Sequence, residues 1–264
     1  MSLVSVERLD DIAIVRLDRP EKRNAMSFAL LRELLACGKQ LARDRTLRAV
    51  ILAGAGESFS AGIDLSDLGD ARNRRFAFWE LIKPGPSLFQ RACLVWQDLP
   101  VPVIAALHGH CFGAGMQLAL AADLRIATPD CQLSIMEARW GLVPDMGLTR
   151  TLRGLVPPDV AAELIYSVRI MRADAAYELG LVTHVADDPL SAARALAAEF
   201  ATRSPDALLA AKRVLHAMLR SSPARALRSE KRWQLRLLLG RNFRIARRRG
   251  GDAAAAGFEP RQYR

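Results

Sequence analysis

Two runs in this 264-residue chain, Ala49–Ala53 (AVILA) and Val103–Leu107 (VIAAL), are apolar at every position. Five-residue apolar runs bounded by turn residues predict short buried strands. Strand and helix signals alternate around them. Val4–Leu9 and Ile12–Leu17, split by Asp10-Asp11, read as a hairpin that Arg19-Pro20 ends. Ser27 is placed to cap a helix to about Arg43, with Leu30, Leu31, Leu34, Leu35 and Leu41 near helical spacing. Residues 71–98 read as helix on either side of a break at Lys83-Pro84-Gly85-Pro86. Met116–Ala122 reads as a short buried helix, and Leu124–Ala127 and Leu133–Ile135 as strands. Helices follow near 147–154, 158–168 and 173–179, then a strand over 181–185 and a helix over 190–203. Such alternation predicts an α/β body. After Ser204-Pro205 the chain is Arg-rich and helical to about Arg249, which divides it into a body, 1–204, and a helical segment, 205–264. The one low-complexity tract is Ala253–Ala256.

With 51% hydrophobic and 25% charged residues the chain can bury a full core, which excludes a disordered or disulfide-stapled protein. The net charge of +10 is local: residues 220–264 hold thirteen Lys/Arg against three Asp/Glu, and the rest is neutral. That segment suits a polyanionic partner, or simply a solvated basic helix surface. Cys37, Cys93, Cys111 and Cys131 show no metal-like spacing and read as thiols in a reducing compartment. The opening MSLVSVERLDD has no apolar core, so no signal peptide is expected. The most apolar stretch, Val101 to Ala122, contains Pro102, two histidines, a Gly-rich turn and Gln117, and reads as strand, turn and helix, not a membrane span. A soluble, cytoplasmic protein is expected.

Two strand-to-turn junctions carry possible chemistry, Phe59-Ser60-Ala61-Gly62-Ile63-Asp64-Leu65 and Gly109-His110-Cys111-Phe112-Gly113-Ala114-Gly115. Small residues let a ligand approach the backbone, and two N–H groups aimed at one point would form an oxyanion hole. The same glycines would equally serve to let strands meet helices. A third segment, Ser134 to Gly147, places Glu137 and Asp145 on either side of a bend at Gly141 and Pro144. Apolar neighbours Ile135, Met136, Trp140 and Val143 could desolvate a carboxyl group for proton transfer at carbon. Asp145 before Met-Gly-Leu-Thr also suits a helix N-cap, and Glu137 a surface or salt-bridged acid.

Together AGIDL, HGHCFGAGMQLALAADLRIA and SIMEARWGLVPDMGLTRTL, in this order and spacing, resemble the crotonase superfamily, the enoyl-CoA hydratase/isomerase family. The resemblance runs from about residue 4 to 200. It implies an α/β spiral of ββα units with a C-terminal helical subdomain that mediates trimers, often paired into hexamers. It implies an acyl-CoA or enoyl-CoA substrate, with coenzyme A part of the substrate and no metal or redox cofactor. The thioester oxygen would sit between the N–H groups of Ile63 and Ala114, the latter replacing a usual glycine. The family's catalytic acid falls on Glu137. The hydratases' second glutamate falls on Gln117, which cannot exchange a proton and so tilts the expectation toward double-bond isomerisation. Asp145 matches the aspartate that partners a glutamate in dienoyl-CoA isomerases, whose aspartate at the Gln117 position is missing here. Coenzyme A would be held by Lys22, Arg23 and Ala25, by the backbone of Ser60, Ala61, Asp64 and Leu65, and by a basic residue of the tail.

Hydration with Glu137 alone, or acyl-CoA binding without catalysis, are the alternatives, and nucleic-acid binding through the basic tail is the least favoured. His108 and His110 suggest a metal pair but read better as packing. Gly54-Ala55-Gly56 lacks the third glycine of a dinucleotide fingerprint, because Phe59 stands there.

Overall fold

The apolar runs become the centre of a six-stranded sheet. The computed structural model describes residues 2–250 and 257–263, so the alanine tract 253–256 lies outside the described residues. Strands β1 (Val4–Leu9) and β2 (Ile12–Leu17) form the antiparallel hairpin, with Asp10 in the left-handed region at φ 52°. The chain then crosses over through α1 (Phe28–Arg43), capped by Ser27, to β3 (Ala49–Gly54), which pairs parallel to β2. Helices α2 (Ala71–Ile82) and α3 (Leu88–Gln97) lead to β4 (Val103–Leu107), parallel again. The Pro-Gly-Pro break separates the two helices as expected. Glu80 spans it, ion-pairing with Lys83 and accepting from the Leu88 N–H.

After β4 the chain alternates between two sheets. Strand β5 (His110–Phe112) belongs to a second, three-stranded sheet, and α4 (Ala114–Leu120) follows it. Strand β6 (Leu124–Ala127) returns to the first sheet and β7 (Gln132–Ser134) to the second. This strand–strand–helix turn is one coil of the expected spiral. A rudimentary earlier coil is present too: after β3, Ser60 bridges Cys111 as a single-residue edge of the second sheet. Helices α5 (Leu148–Thr151) and α6 (Pro158–Ser167), strand β8 (Met171–Arg172), helix α7 (Ala173–Glu178), strand β9 (His184–Val185) and helix α8 (Pro189–Ala201) complete the body.

Because side chains alternate along a strand, β3 feeds two cores. Val50 and Leu52 pack with Leu30, Leu31 and Leu34 of α1 and Trp96 of α3. Ala49, Ile51 and Ala53 face Ala193 and Ala197 of α8. Helices on both faces make the central parallel strands viable, since β3 and β4 are buried on both sides.

The structure departs from the sequence reading where non-local bonds decide. The helix expected at Met116 starts at Ala114, directly after the left-handed Gly113. The expected strand over 181–185 shrinks to β9, because the amides of Leu181 and Val182 are taken by the carbonyl of Ala176. The helix expected over 147–154 is only the single turn of α5. Strands β5 and β8 were not anticipated: two or three residues carry no periodicity, and they exist through pairing with β7.

Beyond residue 204 come α9 (Pro205–Arg220), α10 (Pro223–Leu238) and α11 (Arg241–Arg249). Helix α9 is anchored in the body: buried Lys212 donates to the Val101 carbonyl at 2.9 Å and pairs with Asp123 at 2.7 Å. The chain end returns as well, with buried Arg261 donating to the carbonyls of Asp44 and Leu47. Among the described residues no helix is long and apolar enough to cross a membrane. Removing one partner of a buried pair strands the other. Lys212→Ala should therefore lower the unfolding free energy by about 3 kcal/mol, read as a shifted midpoint in chemical denaturation.

Candidate active site

The two junctions singled out in the sequence are stitched together. The Ser60 N–H donates to the His110 carbonyl at 2.9 Å, and the Phe112 N–H to the Ser60 carbonyl at 3.0 Å. Ser60 is buried, and its hydroxyl accepts from the Gly62 N–H while donating to the Asn24 carbonyl. Next in the chain, Met26 pairs with the residues flanking Ile63: its N–H reaches the Gly62 carbonyl and its carbonyl takes the Asp64 N–H. In that pattern the Ile63 N–H must point to the other side. It has no hydrogen-bond partner among the described residues.

The Ala114 N–H is orphaned for another reason. Ala114 is the first residue of α4, and first-turn amides have no carbonyl behind them. Gly113 gives its own N–H to the Ser134 carbonyl and turns the chain with φ 48° and ψ −115°. A side chain there would be strained and would meet Glu137 Oε1 at 3.4 Å. Gly115 lets α4 lie against the Ser60 turn, where a Cβ would come within 2.8 Å of the Ser60 backbone. Ile63 and Ala114 both line one cavity of about 300 Å³.

Glu137 and Asp145 line the same cavity. Glu137 lies in a single 3-10 turn, Glu137–Trp140, and makes no salt bridge among the described residues. Its Oε1 accepts a 2.6 Å hydrogen bond from Gln117 Nε2, and its Oε2 is buried without a partner among the described residues. Burial pushes its carboxyl group up. The Gln117 bond opposes the shift and the charge of Asp145 adds to it. Asp145 is accessible from the cavity, yet enough protein surrounds it for desolvation to raise its carboxyl group too. It is not the N-cap of α5: that position is Gly147, and no side chain caps the helix. Gln117 is buried in α4, and its Oε1 accepts from the Met146 N–H at 2.8 Å. Phe28, Leu81, Phe89 and Trp140 supply apolar wall.

The remaining expected residues divide. Ala61 and Leu65 line the cavity; Ser60 and Asp64 do not. The Asp64 carboxylate is held below its usual range by hydrogen bonds from Ser66 and Arg19, against the opposing effect of burial. Lys22 and Arg23 are exposed and off the cavity wall, while the carbonyl of Arg23 receives the Ala61 N–H. Ala25 offers its carbonyl to Arg19. The histidines pack as expected, His108 against the Gly56 carbonyl and His110 against the Ser58 hydroxyl.

Asn24, which the sequence does not single out, organises the first junction. Fully buried at φ 54°, it donates to the carbonyls of Ala55 and Ser58 and accepts from the Arg19 N–H. The sequence signal for it is weak: asparagine is among the few residues that tolerate that backbone region.

The family model for enoyl-CoA hydratase/isomerase matches residues 7–243. The mouse mitochondrial Delta(3,5)-Delta(2,4)-dienoyl-CoA isomerase is 39% identical over 211 residues, or 75% of this chain. The match spans 63% of that relative's length. Among solved structures, the enoyl-CoA hydratase of Bacillus anthracis is 28% identical with a TM-score of 0.88, covering 97% of this chain and 98% of that one. A Thermobifida fusca YX protein solved in complex with acetoacetyl-CoA is 31% identical with a TM-score of 0.81, over 90% and 95% of the two chains. By sequence and by fold, this chain belongs to the enoyl-CoA hydratase/isomerase family.

Proposed function

We propose that the protein isomerises the double bonds of an unsaturated acyl-CoA, with the thioester oxygen bound between the N–H groups of Ile63 and Ala114. One observation carries the reading: two orphaned backbone donors, the part-buried carboxyl group of Glu137 and the exposed one of Asp145 line one cavity, and the surrounding protein raises both carboxyl groups. Donors already in place cost no reorganisation when charge develops on the oxygen, and the N-terminus of α4 adds partial positive charge. That combination lowers the cost of removing a proton from the carbon beside the thioester.

Glu137 is the group for that carbon, because it abuts Gly113, the residue before the Ala114 donor. Removal of a C2 proton by Glu137 sends the electron pair through the thioester to its oxygen, giving an enolate or, in a diene substrate, a dienolate. Return of a proton farther along the chain, with the electrons flowing back, completes the shift. Asp145 is the second carboxyl group on the same wall and supplies that proton. No water is consumed, and no oxidant or metal enters the balance. The reaction is reversible, so either carboxyl group can begin as the base. Gln117 offers no proton, which disfavours a hydration that shares water between two acids. The mouse relative's name, a dienoyl-CoA isomerase, supports the two-carboxyl version.

Exposed Lys22 and Arg23 suit the phosphates of coenzyme A, and the apolar wall of Phe28, Phe89 and Leu81 suits the acyl chain. Exposed Leu227, Leu235, Leu238 and Leu239 beside the basic surface support a role for residues 205–264 in a homotrimer or dimer of trimers. Four free cysteines are compatible with a cytoplasmic setting.

Glu137→Gln should lower kcat by roughly 10²–10⁴ on any accepted dienoyl-CoA or enoyl-CoA, followed through ultraviolet absorbance of the conjugated product. Unchanged turnover would remove Glu137 from the reaction, and calorimetric binding without turnover by the wild type would make the protein an acyl-CoA binder. Ala114→Pro tests the donor itself. The first position of a helix tolerates proline, and Gly113 before it has no Cβ for the ring to meet. That variant should keep its melting temperature within a few degrees while kcat falls by about 10²–10³.

A further inference from the structure

Gln117 is buried with each end of its amide committed to a group of the site. Its Oε1 accepts from the Met146 N–H at 2.8 Å and its Nε2 donates to Glu137 Oε1 at 2.6 Å. The two bonds are not interchangeable. A backbone N–H can only donate, so the amide oxygen must face Met146 and the NH₂ must face Glu137. The side chain thus presents Glu137 with a donor and nothing else. Gln117 also stands one turn into α4, the helix whose first residue is Ala114. One rigid helix therefore holds both an orphaned donor and the partner of the carboxylate. Met146 follows Asp145 in the chain, so the same amide ties the Glu137 turn to the segment that carries the second carboxyl group.

We infer that Gln117 is a positioning residue: it donates to Oε1 of Glu137, eases the ionisation of that carboxyl group, and fixes Glu137 relative to Asp145. The inference rests on the reading of Glu137 as the base, and extends it. Oε2 is buried without a partner among the described residues, so the carboxylate is desolvated there. That desolvation pushes the carboxyl group up. A charge-assisted bond on the other oxygen offsets part of this cost. An acid in place of Gln117 would do the reverse, because two carboxyl groups at this separation share one proton.

The backbone amides of Glu137 and Met136 act in the same direction, but the other side chains facing Glu137 do not. Asp145 opposes ionisation through its charge. Cys93 of α3, whose thiol burial and both carboxylates push up, stays neutral. Arg139, on the same 3-10 turn, lines the cavity but makes no ion pair with Glu137.

The test is the protonation midpoint of Glu137 in the full-length protein without substrate. It is followed by infrared titration of the protonated-carboxyl band, assigned by its loss in Glu137→Gln. Gln117→Leu keeps the volume and removes both bonds, and should raise the midpoint by about one pH unit. Gln117→Glu should raise it further and add a second ionisation. In both, the acid limb of kcat/KM should move up with the midpoint, because the base form is the ionised one and activity appears only as pH rises through it. In Gln117→Leu kcat should fall with KM little changed. A role in stability alone would lower the melting temperature and leave the midpoint in place. A folded Gln117→Leu with the wild-type midpoint overturns the inference. If that variant does not fold, an unmoved midpoint in Gln117→Glu overturns it instead. Absence of turnover on every acyl-CoA would sink the assignment of the reaction, while the infrared titration would still decide the part played by Gln117.

Discussion

Two backbone hydrogen bonds, between Ser60 and the His110–Phe112 strand, decide where everything else in the site can be. They join chain segments about fifty residues apart that leave neighbouring strands of the main sheet. Each segment ends in an amide that its own local geometry leaves over, Ile63 because Met26 takes its neighbours and Ala114 because it opens a helix. Neither orphan would be useful alone. The stitch makes them neighbours, and Gly115 lets the helix come close enough for it to form.

Electrostatics follow from the same arrangement. A cavity dry enough to strengthen two N–H donors also raises the cost of ionising any carboxyl group beside them. Both Glu137 and Asp145 are pushed up for that reason. The protein answers by giving Glu137 one side-chain donor and giving Asp64, the residue after Ile63, several donors. Asp64 is thereby tied up as a fixed charge that holds Arg19 and the Ser66 turn. Glu137 is left part-solvated by protein, which is the state a proton-transfer group requires.

How much of this could be read from the residues depends on the range of the interaction involved. The hairpin, the capped helix after Ser27, the Pro-Gly-Pro break and the two apolar strands are set by near neighbours in the chain, and all stand as expected. Strand β5 and strand β8 are held by partners twenty or more residues away, and short segments of that kind leave no local trace. The site behaves the same way. Ile63, Ala114, Glu137 and Asp145 stood out through turn chemistry and residue type, and the fold brings them to one wall. The work of Asn24 and the two-ended bonding of Gln117 depend on which distant groups the fold delivers to them, so no spacing rule could have revealed either. For Asp145, chain position offered two roles, and only the observed cap of α5 removes one of them.

The proposed backbone oxyanion site has a consequence for what distinguishes one member of such a fold from another. Its electrophile is made of main-chain donors, so side-chain substitution barely alters it: the methyl of Ala114 leaves the N–H intact. Chemistry must then be chosen by the few side chains that decide where a proton can go. In this chain those are one carboxyl group beside the donors, a second on the same wall, and a neutral amide where an acid would have offered water a second partner. A shift of a double bond needs a proton taken at one carbon and returned at another, and two separated carboxyl groups meet that need. Addition of water needs its oxygen held and its proton removed at one place. With Gln117 donating to Glu137 Oε1 in place of an acid, the proposed reading favours the first of these.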